Sequence, residues 1–296
     1  MNYIQILILA LIQGAAELLP VSSTAHVIFA AKLMKYEDTS SPQFVFLLVM
    51  LHTGTMFAVI YYFWPRWRRL LTGMDYSPLG PRRFFMRIAL ATACTGVLGL
   101  GLLFFIEKIV LMKMLGHEKG EVEDLFKSLP LMAVALLSVG IFIILSGLVA
   151  TRLQARGQSG IKEITPQVSI LIGLVQGLCL PFRGFSRSGA TISAALCSGV
   201  DRMLAEDFSF ALAVVLTPPV IVRELYRLLR STNWSEDTGL ADLLLPGLVG
   251  MVFSFIAGLA ALHVLSAALE KGRWKYFGYY CILFSLVVLY AAHKGY

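Results

Sequence analysis

Charge is scarce in this chain, and the shortage narrows the field first. Only 15% of the 296 residues are Asp, Glu, Lys or Arg, against 57% hydrophobic. With a mean hydropathy of +0.76, that composition excludes an ordinary soluble domain and points to a polytopic membrane protein. Paired cysteines are missing too. Cys94, Cys179, Cys197 and Cys281 lie singly in apolar sequence with no CxxC, so neither a zinc site nor a redox couple is expected and all four read as packing residues. No basic segment precedes the first apolar run, which continues to about Met34, so that run reads as part of the folded chain and not as a cleaved signal peptide. The excess of 25 Lys and Arg over 18 Asp and Glu does not imply nucleic acid, because the basic residues gather in short segments beside apolar runs, as positive-inside topology requires.

What is present is a set of apolar runs near the ~20 residues that a bilayer core demands. They fall at Phe44 to Trp64, Arg87 to Ile106, Leu129 to Thr151, Phe208 to Val222, Leu243 to Ser266 and Tyr276 to Ala292, which predicts six spans. Two further apolar regions, 1–34 and 166–200, are interrupted by polar motifs. The first reads QGAAELLPVSSTAH from Gln13 to His26 and the second LVQGLCLPFRGFSRSGAT from Leu174 to Thr191, so that LIQG is echoed by LVQG and each copy runs on through Leu-Pro to a serine cluster. The echo suggests an internal duplication. Irregular backbone at membrane depth is tolerated only where protein or a cavity encloses it, so each interrupted region is expected to be a broken helix or a re-entrant hairpin.

If both are hairpins, each half contains one hairpin and three spans, and the odd number of spans turns the second half upside down. The expected fold is therefore an all-α polytopic membrane protein: six transmembrane helices plus two re-entrant helix-loop-helix hairpins in an inverted repeat. It forms one membrane domain over 1–296, with halves of about 1–151 and 166–296 and a cytoplasmic linker at 152–165. Under this scheme thirteen Lys and Arg, including Arg66, Arg68, Arg69, Arg152, Arg156, Arg202 and Arg273, fall on one side and nine on the other, which makes the first side cytoplasmic. Trp64, Trp67, Trp234 and Trp274 near span ends read as interfacial anchors. Gly96, Gly99 and Gly101 read as close-packing positions, and Glu118 to Lys127 as a solvated loop.

Ionisable groups inside a membrane are costly and by default mark function. Gln13 and Glu17, four apart, share a helical face and could hold a water or a divalent cation, Mg2+ or Ca2+, with substrate phosphate oxygens completing the shell. Ser22, Ser23 and Thr24 follow Pro20 at the start of a half-helix, where hydroxyls cap amides and the positive helix end attracts anions. His26 lies one turn beyond Ser23, a spacing that suits a nucleophile and base as well as it suits a cap and a structural histidine. Gly184, Ser186, Arg187, Ser188 and Gly189 make a small-residue loop with hydroxyls, amides and a guanidinium, a phosphate cradle by composition, to which Thr191 adds a hydroxyl. Together these groups suit a phosphorylated, lipid-borne substrate.

At these residues the chain resembles the undecaprenyl pyrophosphate phosphatase family, the bacitracin-resistance membrane enzymes of bacteria. Gln13 and Glu17, PVSSTAH at 20–26, and Gly184, Ser186, Arg187, Ser188 and Thr191 match its motifs, and LHTGT at 51–55 and EDFSFALA at 206–213 also look like family sequence. The resemblance implies an acid anhydride hydrolase that removes the terminal phosphate of undecaprenyl diphosphate in the bacterial inner membrane, with a pocket open to the periplasmic side. It implies metal or water binding at Gln13 and Glu17, hydroxyl or imidazole chemistry at Ser22, Ser23 and His26, and phosphate binding at Ser186, Arg187 and Thr191. It leaves open whether serine, histidine or water attacks. Its partners would be the polyprenyl diphosphate and the bilayer, not nucleic acid, and a homodimer would be compatible. Ala25 replaces a usual Gly, and Arg183 a usual Pro.

The competing expectation is a carrier of undecaprenyl phosphate or a related lipid, since broken helices in an inverted repeat are transporter architecture. Transport needs the cation and the cavity but no nucleophile. The type 2 phosphatidic acid phosphatases would need histidine six residues after Arg187, where Ser193 stands.

Overall fold

The computed structural model describes residues 2–34, 42–72, 80–106, 108, 129–161, 163–182, 184–231 and 240–294. Arg183, Trp234 and the Glu118 to Lys127 segment lie outside the described residues. Among the described residues ten helices follow one another: α1 (Tyr3–Leu18), α2 (Ser23–Leu33), α3 (Pro42–Leu71), α4 (Gly80–Phe105), α5 (Leu129–Ala155), α6 (Pro166–Cys179), α7 (Arg187–Cys197), α8 (Arg202–Ser231), α9 (Leu240–Glu270) and α10 (Lys275–His293). Among the described residues the one β feature is a single parallel bridge, Ile161 to Val200, which ties the 152–165 linker to the end of α7.

Six helices, α3, α4, α5, α8, α9 and α10, are long and apolar enough to cross a membrane, and all six expected spans are among them. The other four are short. At 1.5 Å per residue α1 reaches about 24 Å and α2 about 16 Å, less than the ~30 Å hydrocarbon core. Local chemistry sets these lengths. Asn2 starts α1 with a capping box: its side chain accepts from the Gln5 N–H at 2.8 Å, and the Gln5 side chain accepts from the Asn2 N–H at 3.0 Å. Pro20 ends it, because the residue before a proline is driven out of the helical region and Leu19 is extended. Ser22, at φ +69, then caps α2. In the second copy Thr165 caps α6 with Pro166 in its first turn, and Ser186 caps α7, accepting from the Gly189 N–H at 3.2 Å.

Among the described residues the halves expected from the sequence, 1–151 and 166–296, each run through two short helices and then three long ones. Exchanging the halves maps α1 on α9 to α6 on α4, and both pairings occur, while α3 on α8 and α5 on α10 map onto themselves. The echoed glycines make these contacts. A Cβ on Gly14 would fall 2.5 Å from the Ser254 carbonyl oxygen of α9, and one on Gly177 3.0 Å from the Thr95 carbonyl oxygen of α4. Large aromatics, Phe63, Phe84, Phe208 and Phe210, fill the centre between α3, α4 and α8, whereas Val97, Leu100 and Phe104 of α4 point outward as an acyl-chain surface would.

Three expectations are corrected. Trp274 is no interfacial anchor: it is buried and its Nε1 donates to Ser146 at 3.0 Å and Ser193 at 3.2 Å, a hydroxyl network inside the bundle. Trp67 stacks on Phe63. Of the three α4 glycines only Gly99 is a close-packing position, against Leu180, while Gly96 and Gly101 face open space. Arg66 is more than a topological charge, since its Nη1 lies 3.1 Å from both Glu206 Oε2 and Asp207 Oδ1.

Candidate active site

Glu17 lies in the last turn of α1, where the helix dipole disfavours a carboxylate. Donors on its own helix and on two other segments offset that penalty. Oε2 accepts from Ser23 Oγ at 2.5 Å and from Gln13 Nε2 at 3.1 Å, and Oε1 accepts from Arg187 Nη2 at 3.1 Å. His52, in mid-α3, brings Nε2 to 3.7 Å from Oε2. Four segments converge on one carboxylate.

Each donor is placed by a local rule. Gln13 stands one turn before Glu17 on the same face. Ser23 follows the N-cap Ser22, so its hydroxyl projects from the first turn of α2 back over the end of α1. Arg187 is the first residue of α7, next to that helix's positive end. The two breaks touch elsewhere as well: Ser188 Oγ donates to the Leu19 carbonyl at 3.5 Å, and a Cβ on Gly189 would stand 3.3 Å from Pro20. Gly184, at φ +100, packs its α-carbon against the Met132 backbone of α5, where any side chain would collide.

Glu17 borders a small cleft that is also lined by His52, Thr55, Arg187 and Thr217 among others. Its chemistry is one carboxylate and one guanidinium, with an imidazole and hydroxyls around them. Two helix N-termini, those of α2 and α7, border the same breaks, an arrangement that favours anionic oxygens.

The residues singled out in the sequence divide into two groups. Gln13, Glu17, Ser23 and Arg187 come together. The hydroxyls of Ser22, Ser186, Ser188 and Thr191 are buried and bonded within the protein: Ser22 and Ser186 cap helices, and Thr191 Oγ1 lies 2.6 Å from Ser209 Oγ. His26 turns toward α10. Its Nε2 lies 2.7 Å from Tyr280 Oη and its ring stacks on Phe284 with centroids 3.9 Å apart, so no bond joins it to Ser23. Sequence reading missed His52, although LHTGT placed a second histidine in the middle of an apolar run.

The fit of a resident cation can be read from the donor set. The Glu17 lone pairs face the hydroxyl, amide and guanidinium hydrogens named above, and Gln13 turns its N–H groups to the carboxylate. Among the described residues no group of three His, Cys, Asp or Glu could hold a metal ion. The expected Gln13 and Glu17 site does not fit a cation held by protein groups alone.

Known proteins supply the comparison. The family described as Bacitracin resistance protein BacA matches over residues 6–287. The chain is 54% identical to Undecaprenyl-diphosphatase 2 of Acinetobacter baylyi, over 98% of both chains. It is 31% identical to the Undecaprenyl-diphosphatase of Desulfosudis oleivorans, over 98% of both, and 30% identical to that of Korarchaeum cryptofilum, over 98% of this chain and 99% of the relative. A match over nearly the whole length, on a six-span helical body whose two broken regions meet at Glu17 and Arg187, means that this chain belongs to the BacA bacitracin-resistance family.

Proposed function

We propose that the protein is an integral membrane phosphatase that hydrolyses undecaprenyl diphosphate to undecaprenyl phosphate and inorganic phosphate, which returns the lipid carrier to cell-wall synthesis. The observation that carries this reading is the Glu17 to Arg187 pair, 3.1 Å apart at the meeting of the two breaks and open to a cleft. Phosphoryl transfer asks a protein mainly to position the phosphate and neutralise developing charge. Arg187 offers a planar fork to the terminal phosphate, and Glu17 holds that fork in place through Oε1.

The short lengths of α1, α2, α6 and α7 support their entering and leaving the bilayer on one side, as two re-entrant hairpins of an inverted repeat with halves at about 1–151 and 166–296. The charge asymmetry supports a bacterial inner-membrane setting with the 152–165 linker in the cytoplasm and the cleft toward the periplasm. The exposed apolar faces of the bundle suit the polyprenyl chain. A divalent cation would arrive on the diphosphate, its shell completed by phosphate oxygens and water and not by Gln13 and Glu17.

The test is phosphate release from undecaprenyl diphosphate by the purified protein in detergent. Turnover that disappears in Arg187→Ala, with the variant still folded, is the expected result. A wild-type protein that releases no phosphate but moves undecaprenyl phosphate between vesicle leaflets would overturn the hydrolase in favour of a carrier.

A further inference from the structure

We propose that His52 is a catalytic residue of this site, its Nε2 taking the proton from the water that attacks the terminal phosphorus. The inference rests on the hydrolase reading and adds to it a group that the sequence motifs did not supply.

Two histidines lie near the breaks, and their hydrogen bonds separate them. Both hang Nδ1 on a backbone carbonyl four residues back: His26 on Ser22 at 2.8 Å and His52 on Leu48 at 2.8 Å. A carbonyl only accepts, so in each ring Nδ1 carries the hydrogen and Nε2 presents the lone pair of the neutral form. On His26 that lone pair is spent, because Tyr280 Oη lies 2.7 Å away and Phe284 covers the ring face. On His52 it is directed at Glu17 and lies in the wall of the cleft, where the side chain is 39% exposed. Of the two, only His52 presents a free ring nitrogen to the space beside Arg187.

Glu17 is a poor base in this setting. Its oxygens accept from Ser23, Gln13 and Arg187. Its negative charge instead faces His52 Nε2 across 3.7 Å, and a carboxylate beside an imidazole stabilises the imidazolium that proton abstraction creates. The same nitrogen lies in the wall of the cleft, from which a water can approach it.

The step balances within the site. An O–H bond of the water breaks, its proton passing to His52 Nε2 and its oxygen bonding to the terminal phosphorus. The bond from that phosphorus to the bridging oxygen breaks, and the electron pair leaves with undecaprenyl phosphate. The imidazolium then returns its proton to solvent in the cleft. No oxidant, reductant or second substrate is required. The groups that face His52 are Glu17 from α1 and, beyond it, Arg187 from α7; α8 contributes Ala213, Val214 and Thr217, which do not titrate in this range, and α9 meets this part of α3 through Ser254 on the Leu51 carbonyl.

The experiment compares wild type, His52→Gln and His52→Ala as full-length proteins in detergent with undecaprenyl diphosphate. Removing a positioned base typically costs about 100-fold or more in turnover. His52→Gln is therefore expected to lose at least about that much kcat with KM within about threefold. Any acid limb in the wild-type pH profile of kcat should vanish in His52→Gln. Added imidazole should restore part of the activity of His52→Ala. His52→Gln that retains wild-type kcat and its acid limb, while Arg187→Ala is inactive, would refute the role of His52 and leave the hydrolase standing. Loss of turnover together with loss of inorganic phosphate binding would refute it too, by showing a structural role. Absence of turnover in wild type would defeat the hydrolase reading itself.

Discussion

Glu17 and Arg187, 170 positions apart in sequence, meet at 3.1 Å between Oε1 and Nη2. One lies at the negative end of α1 and the other at the positive end of α7, so each charge occupies a helix terminus and the two termini face each other. The short helices place them there: a full span on either side of the break would have carried each charge past its partner.

Removing either charge should lower turnover by different routes. Arg187→Ala takes away the phosphate-binding fork, and loss of one such preorganised group costs on the order of 10²- to 10³-fold in kcat. Glu17→Gln leaves the fork but frees it to rotate, so phosphate release should fall with a rise in KM. The double variant should be no worse than Arg187→Ala alone, because the two residues act as a unit. Fully additive losses measured in this cycle would show that they act separately.

Thr191→Val should behave as a stability change. The Thr191 hydroxyl is buried and lies 2.6 Å from Ser209 Oγ, linking α7 to α8. Its removal should cost about 1 kcal/mol, read as a lower Tm in detergent, with KM for undecaprenyl diphosphate within about threefold of wild type. A tenfold rise in KM at unchanged Tm would return Thr191 to the phosphate.

The bundle and its centre were legible in the sequence for a physical reason. Apolar runs of spanning length can do little else in a chain this poor in charge, and Pro20 and Pro181 stand beside serine clusters that cap the next half-helix, whereas Pro65, Pro218, Pro219 and Pro246 lie inside long helices that continue through them. The meeting of Glu17 with Arg187 followed from the echo LIQG and LVQG. The finer assignment did not follow. Gln13 and Gln176 occupy matching places, yet Gln13 Nε2 donates to Glu17 while Gln176 Nε2 donates to Thr95 Oγ1, because the position four residues on is a carboxylate in one copy and Leu180 in the other. His26 looked like the partner of Ser23 from its spacing, but α10 comes from the far end of the sequence and captures the ring with Tyr280 and Phe284. His52 was hidden for the converse reason: a histidine amid apolar residues declares nothing until α1 is packed beside it.

The glycine seat beneath Glu17 gives a test of how closely site and packing are joined. Gly14 lies three residues before Glu17, and a Cβ there would meet the Ser254 carbonyl oxygen at 2.5 Å and Ala257 Cβ at 2.7 Å, the first of these being backbone that cannot swing aside. Gly14→Ala should push α1 off α9, with a cost of about 1 to 3 kcal/mol from overpacking and reduced kcat as Glu17 shifts from Arg187. Gly101→Ala is the matched control. That position faces open space in α4, so the substitution should hold or raise Tm and leave turnover unchanged. Equal effects of the two substitutions would mean that helix propensity, and not the seat, governs the response.

At the other end of α3, Arg66 binds Glu206 and Asp207 of α8 while Glu206 Oε1 accepts from Ser266 Oγ of α9 at 2.5 Å, and Tyr62 Oη donates to the same Ser266 at 2.9 Å. Glu206 is almost wholly buried, at 1% exposure, so its charge depends on Arg66. Arg66→Ala would leave the buried Glu206 carboxylate without this cation, and breaking a buried pair from one side costs about 3 to 5 kcal/mol. Replacing both partners removes the charge that would be stranded, so Arg66→Met with Glu206→Met should recover much of that loss, although Asp207 remains. The measurement is thermal unfolding in detergent for the two single variants and the double. Because the cluster lies about 21 Å along α3 from His52, at 1.5 Å for each of the fourteen intervening steps, kcat of whatever folded protein remains should stay within a few-fold of wild type. A large kcat defect in folded Arg66→Ala would show instead that the two ends of α3 are coupled.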